Sequence, residues 1–416
     1  MPGMVAAAAA AAGGAAPPPP PPPAVPNDSC CICRCFKAIG EFFKKVGVLT
    51  AIVFTASVLV GVLYSVPIAL TVFGGYVLAK SIYHLVKPQE ARPTITTTEF
   101  QFTPDRRNYP TIVHPNKGYV FDTLMQERDF RATATVTKGH LNNVQELYDK
   151  PLFPRFPSRA RHMSRQEFAY ERSDDRTMYW AVNFARSNVF DGWRGPLLGQ
   201  SERQVSEHPA LSLLRLQLEN PAIAPLGDNE ALLIANVERF GSLNIPSSQF
   251  ANATTVQLEA NLERFEQPQI NHIVAMVSPV SGNRAAGALY EQADLEQTFN
   301  RAYVAFQTIK ERYPDKDIIV QTGNWDNDRD GSGPKLAALM QLAAGRMVGI
   351  HLKYHPDYPY RERIDRDIHA DYNEYTAGEE LFEGFCREHP NWTVREFLNH
   401  LFVGRAHYNL RYGAGA

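Results

Sequence analysis

The chain has 416 residues, enough for one large domain with appendages or for two domains. Its 42 Lys and Arg stand against 44 Asp and Glu, so no basic footprint points to nucleic acid. Four of its five cysteines sit together as Cys30, Cys31, Cys33 and Cys35, with Cys386 alone, which excludes a disulfide framework spread over a secreted domain.

Residues 1–45 are a low-complexity tail: an alanine run, then seven prolines from Pro17 to Pro23, then the cysteine cluster. Prolines in series favour an extended polyproline helix, and nothing here builds a core. The cluster lacks paired Cys-x-x-Cys spacing and nearby histidines, so it reads as S-acylation sites or inert thiols rather than a zinc site.

Residues 46–86 form the next block, and 46–79 carry no charge. One spanning helix needs about 20 apolar residues. This block is longer and is interrupted at Tyr64-Ser65-Val66-Pro67, so a transmembrane hairpin is expected, with a single tilted helix as the alternative. Lys37, Lys44 and Lys45 precede it and Lys80, Lys87 and Arg92 follow it, which places both ends on the cytosolic side. The expected location is a membrane, with the soluble part facing a cytosol. In shape the two-lobed segment resembles inclusion-membrane proteins of intracellular bacteria, which implies a secreted effector in a host-derived membrane.

Residues 87–175 are polar and punctuated by proline, with strand-like runs at 94–98 and 133–136 and no pattern that carries chemistry. They are expected to form an accessory region. Residues 176–416 then alternate strand and helix. Strands are predicted at 178–184, 231–237, 272–278 and 317–321, and helices at 209–217, 295–311, 334–348 and 393–401, the last capped by Thr393. Such alternation predicts a three-layer α/β fold with its ligand at the carboxyl ends of the strands.

Residues 322–341, TGNWDNDRDGSGPKLAALMQ, place a Gly-rich loop between a strand and a helix N-terminus. That geometry presents backbone N–H groups to an anion. Gly331, Ser332 and Gly333 could supply such donors, yet the same loop carries Asp326, Asp328 and Asp330.

Several segments together resemble the catalytic macrodomain of poly(ADP-ribose) glycohydrolases. The family's Val-Asp-Phe-Ala-Asn appears as Val182-Asn183-Phe184-Ala185-Arg186, and its triple glycine as Phe190-Asp191-Gly192. Its Gln-Glu-Glu appears as Gln200-Ser201-Glu202, followed by His208-Pro209 for the family's Asn-Pro. Thr322-Gly323-Asn324-Trp325 is intact, and residues 336–344 match the small-residue helix after it. Glu238-Arg239-Phe240 resembles the Glu-x-aromatic that borders the adenine pocket.

The resemblance implies a macrodomain-like three-layer mixed sheet with flanking helices, behind the N-terminal hairpin. It implies that the ligand is ADP-ribose or an ADP-ribosylated protein and that no cofactor is required. Glu202 is implied to be the catalytic acid/base, with Gln200 orienting ligand or water. Asn183, Arg186, Gly192, Glu238, Phe240 and Asn324 are implied to lie against the ligand. Ser201 replaces a glutamate, and Phe190 and Asp191 replace glycines.

Three readings of the acidic loop stand. Asp326, Asp328 and Asp330 fit the opening of a D-x-D-x-D-G calcium loop, so Ca²⁺ or Mg²⁺ could bridge to the diphosphate, although Ala337 occupies the twelfth position. Alternatively they grip the guanidinium of an ADP-ribosylated arginine and act on its N-glycosidic bond, which makes them catalytic beside Glu202. Thirdly, they form a solvated turn in an inactive reader or scaffold that binds ADP-ribosylated partners.

Overall fold

Seven described strands assemble into one mixed sheet of order β1-β2-β4-β5-β3-β6-β7. In this computed structural model the described residues are 93–109, 112–152, 170–185, 188–218, 226–277, 288–323, 334–355, 367–408 and 410. They belong to one unit, Ala91–Ala416. The tail and the expected hairpin at 46–86 lie outside them, and among the described residues no helix is long and apolar enough to cross a membrane.

Strand β1 (Ile95–Phe102), helix α1 (Pro115–Met125) and strand β2 (Ala134–Leu141) come from the region expected to be accessory. Both strands join the main sheet: β1 pairs antiparallel with β2, and β2 antiparallel with β4. Strand β3 (Thr177–Ala185) leads to helices α2 (Gln200–Glu207) and α3 (Ala210–Gln217). Strand β4 (Glu230–Leu243), helix α4 (Thr255–Asn261) and strand β5 (Leu262–Val277) follow. Helix α5 (Gln292–Arg312), strand β6 (Asp317–Gly323), helix α6 (Pro334–Val348), strand β7 (His351–His355) and helices α7 (Asp367–Glu388) and α8 (Val394–Gly404) complete the described chain.

Helix starts follow local chemistry. Thr393 caps α8 and Glu396 reaches back to it, a capping box that satisfies two orphan N–H groups. The backbone N–H of Thr393 holds the Glu396 carboxyl below its ordinary pKa. At the end of α6, Gly349 takes φ +77° and its N–H returns to the carbonyl of Gly345 at 2.9 Å.

Side-chain alternation divides the interior between the two faces of the sheet. Trp180, Val182, Val274, Met276 and Val320 pack with α5, α6 and α8 on one face. Ile234, Ile273, Ala275 and Val277 pack with Val205, Leu211 and Leu214 of α2 and α3 on the other. In β4 the register slips by one residue between Ile234 and Val237, a bulge in which Asn236 holds φ +64°. The Asn236 N–H there donates to Nδ1 of His272 at 3.2 Å.

Candidate ligand crevice

Strand β3 lies between β5 and β6 and runs parallel to both, and β6 runs parallel to β7. From β3 the chain turns to α2 on one face, while from β6 it turns to α6 on the other. Departures to opposite faces open a crevice at the carboxyl ends of β3 and β6, the place where an α/β sheet binds ligands. Its floor ends at Ala185 and Gly323. A Cβ at Gly323 would collide with the carbonyl oxygen of His355, so this residue is small because β6 and β7 approach closely here.

Helix α2 brings Glu202 to this end of the sheet. Glu202 is half-buried in the first turn, where a negative charge is favoured. Its carboxylate lies over Gly199, and a Cβ there would be 2.7 Å from Oε2. The helix is fastened from below. Gln200 Nε2 donates to the Val182 carbonyl at 2.7 Å, and its Oε1 accepts from the Phe184 N–H at 3.3 Å. Asn183, fully buried, donates through Nδ2 to Gln204 Oε1 at 2.6 Å and to Ser201 Oγ at 3.3 Å. The Arg203 guanidinium donates to the carbonyls of Leu243 and Ile245 at the end of β4. Gln200 and Asn183, expected against the ligand, thus bind α2 to β3 with these groups.

Helix α1 packs against α2 and delivers Lys117 into the interior, with 4% of its surface exposed. Burial lowers its amine to a pKa of about 8, and the Glu202 carboxylate opposes that shift. A cation from the accessory region thus lies within electrostatic reach of Glu202. Behind α2, Glu207 is clamped by Arg239 at 2.9 Å and by the Leu243 N–H at 2.9 Å. The Arg239 guanidinium also covers the ring of Tyr170, with 4.2 Å to its centroid. His208 bonds the Gln204 carbonyl at 2.8 Å and Asn271 Oδ1 at 3.0 Å, and burial lowers its pKa to about 3.

Glu238 and Phe240 are drawn inward. Glu238 Oε2 accepts from the N–H groups of Arg131 at 2.8 Å and Ala132 at 3.2 Å. Phe240 is fully buried, edge-on to Phe130 with centroids 5.6 Å apart. Gly192 lies in a short 3-10 helix, Asp191–Arg194. Just before it Phe190 holds φ +62° with its ring buried, so the backbone keeps a left-handed conformation where the family has glycine. Packing of the ring holds a conformation that costs a non-glycine residue on the order of 1–3 kcal/mol.

The structure thus brings Asn183, Gln200 and Glu202 together and sets Glu238 and Phe240 beneath α1. Arg186, Asn324, Asp326, Asp328, Asp330, Gly331, Ser332 and Gly333 lie outside the described residues. Among the described residues no group of three or more His, Cys, Asp and Glu is placed to hold a metal ion. Lys117, Gln204 and Gln321 went unremarked in the sequence. A lone Lys in a polar, proline-punctuated segment carries no sign that it will be buried, and no motif marks either glutamine.

Residues 171–359 match the family model described as poly(ADP-ribose) glycohydrolase (PARG), macro domain fold. This stretch is similar to the PARG macrodomain family. That match takes in β3 to β7 and both strands of the crevice. Among solved structures, poly(ADP-ribose) glycohydrolase from Deinococcus radiodurans in complex with ADP-ribose is 15% identical, over 50% of this chain and 77% of its own, with a TM-score of 0.31. The apo form of that enzyme is 13% identical over 49% of this chain and 74% of its own, TM-score 0.31. A macrodomain from Oceanobacillus iheyensis with MES bound is 15% identical over 50% of this chain and 86% of its own, TM-score 0.30. No curated protein matches the chain.

Proposed function

We propose that this protein binds ADP-ribose in the crevice between β3 and β6 and hydrolyses ADP-ribosyl linkages on proteins. The observation that supports it most is the position of Glu202. It stands in the first turn of α2, inside the family-matching stretch, at the carboxyl end of the central strand. In the proposed reaction Glu202 gives its proton to the leaving atom as the bond to ribose C1 breaks and positive charge develops on the sugar. Its carboxylate then takes a proton from the water that attacks C1. The products are ADP-ribose and the freed protein side chain, with no metal in any step.

The substrate is mono-ADP-ribosyl protein, arginine-linked, rather than the polymer. Ser201 stands in place of a second carboxylate, and Asp326, Asp328 and Asp330 complement a guanidinium leaving group. The block at 46–86, uncharged over 46–79, supports attachment to a membrane with the macrodomain facing a cytosol, where an effector would meet host proteins. The second reading is an inactive reader or scaffold. Ser201 and the lost glycines favour it, as does the use of the Gln200 amide in bonding the β3 backbone.

Full-length protein in detergent would be incubated with arginine-ADP-ribosylated protein and, separately, with poly(ADP-ribose), each with and without Mg²⁺ or Ca²⁺. Release of ADP-ribose from the arginine-linked substrate is expected, with a loss of at least a hundredfold in Glu202→Gln. Tight ADP-ribose binding without turnover would establish the reader, and absence of ADP-ribose binding by calorimetry would refute both readings.

A further inference from the structure

Strand β1 ends the strand order and leaves one margin of the sheet open among the described residues. Thr96, Thr97, Thr98, Glu99 and Gln101 are all exposed. The phase of the hydrogen bonds to β2 shows which backbone groups face outward. The Asn142 N–H donates to the Thr94 carbonyl at 2.9 Å, so Thr94 and Asn142 are a hydrogen-bonded pair. By alternation Thr96, Thr98, Phe100 and Phe102 also turn their backbone groups to β2. Ile95, Thr97, Glu99 and Gln101 therefore aim their N–H and C=O groups away from the sheet. Edges of this kind are usually blunted by proline, lysine, a bulge or short length. β1 has none of these: its eight residues, ITTTEFQF, pair with β2 without a register shift. Its single charge is already met, because Glu99 accepts from Arg312 at 3.0 Å and from Thr137 Oγ1 at 3.3 Å.

Side chains decide what kind of strand fits this edge. A foreign peptide is selected through pockets for its alternate side chains, and Thr96, Thr97, Thr98 and Glu99 present polar surface instead. The strand does match itself. Antiparallel pairing about a two-fold axis at Thr98 sets Ile95 opposite Gln101, and Thr97 opposite Glu99, of a second copy. Every outward N–H and C=O of the four residues then finds a partner. Thr98 meets its own equivalent in a non-hydrogen-bonded pair, where side chains are closest. Moving the axis to Glu99 would set like charges face to face. Moving it to Thr97 would set Gln101 opposite Pro93, which has no N–H to give. We propose that β1 is a self-association edge through which two copies of this chain join their sheets, antiparallel about Thr98. The proposal does not depend on hydrolase activity.

Full-length Thr98→Cys in detergent, mildly oxidised at micromolar concentration and digested, should yield a disulfide-linked pair of peptides containing position 98 of both copies. Adding Thr97→Pro removes an outward N–H that serves no bond to β2. It should cut that yield about tenfold and leave the melting temperature unchanged. Should Thr97→Pro fail to fold, Thr98→Arg sets two cations opposite each other, and sedimentation should then show a dimer weakened about tenfold. Absence of the linked position-98 peptides, or a yield that Thr97→Pro leaves intact, overturns the proposal. So does a dimer that survives Thr98→Arg, since it joins through another surface. An edge taken by a foreign peptide or by another segment of this chain gives a monomer, which overturns it equally.

Discussion

At the scale of the residue, the consequential placement is Lys117 beside Glu202. A Lys amine lowered to about 8 from 10.5 is held in its charged form at a cost. At about 1.4 kcal/mol per pKa unit the folded state loses on the order of 3 kcal/mol below pH 8. The unfolded chain binds this proton up to pH 10.5 and the folded one only to about 8, so stability recovers as pH rises through that window. Lys117→Met should therefore raise urea-unfolding stability at pH 7 by roughly 1–3 kcal/mol, with a smaller gain at pH 10. An unchanged midpoint at pH 7 would mean that the amine is not a destabilising buried charge. None of this was legible in the sequence, because burial of Lys117 depends on α1 docking against α2. The surroundings of Glu202 were easier to read, since Gln200 and Pro209 keep the order of a recognisable motif.

Among the elements, the strands and helices of the alternating part read well from their periodicity. The strand predicted at 178–184 is β3, and the helix predicted to begin at Thr393 is α8, with its cap as expected. Strand β7 and helices α1, α4 and α7 were missed. HLKYH does alternate polar and apolar, but a run of five residues with only Leu352 and Tyr354 toward the helices is too short to stand out. What closes the crevice side of β7 is backbone proximity, with Gly323 beneath His355. Gly323→Ala would push the ends of β6 and β7 apart. A loss of about 1–3 kcal/mol is expected, as for other overpacked sites. Faster hydrogen exchange should be confined to Thr322, Gly323, Tyr354 and His355. Protection equal to that of the unsubstituted protein at these amides would show that the close approach is not constraining.

Over the whole molecule, two histidines make the fold acid-sensitive. Burial lowers His208 to about 3 and His272 to about 4, from an ordinary 6.5. Both are neutral in the folded state and charge readily once unfolded. Their contribution is complete above pH 6.5 and is lost as pH falls toward 4, at up to roughly 1.4 kcal/mol per pH unit for each. Thermal scans from pH 7.5 to 4.5 should show a falling melting temperature, with a shallower slope in His208→Asn. A flat profile over that range would contradict the burial of both rings as neutral groups. The sheet also explains why domain boundaries resisted reading: β1 and β2 look like a separate polar layer but complete the edge beside β4.

The bulge at Asn236 has a bearing on charge. Side chains alternate, so the extra residue reverses which face every later position of β4 presents. Before it, Leu232 and Ile234 face α3; after it, Val237 does. Arg239 shares that odd-numbered parity, and it meets Glu207. Were β4 regular, with Asn236 paired instead of bulged, alternation would point Glu238 at Glu207 and send Arg239 toward Phe130 and α1. One unpaired backbone position thus decides whether the core beneath the candidate catalytic helix holds an ion pair or two like charges.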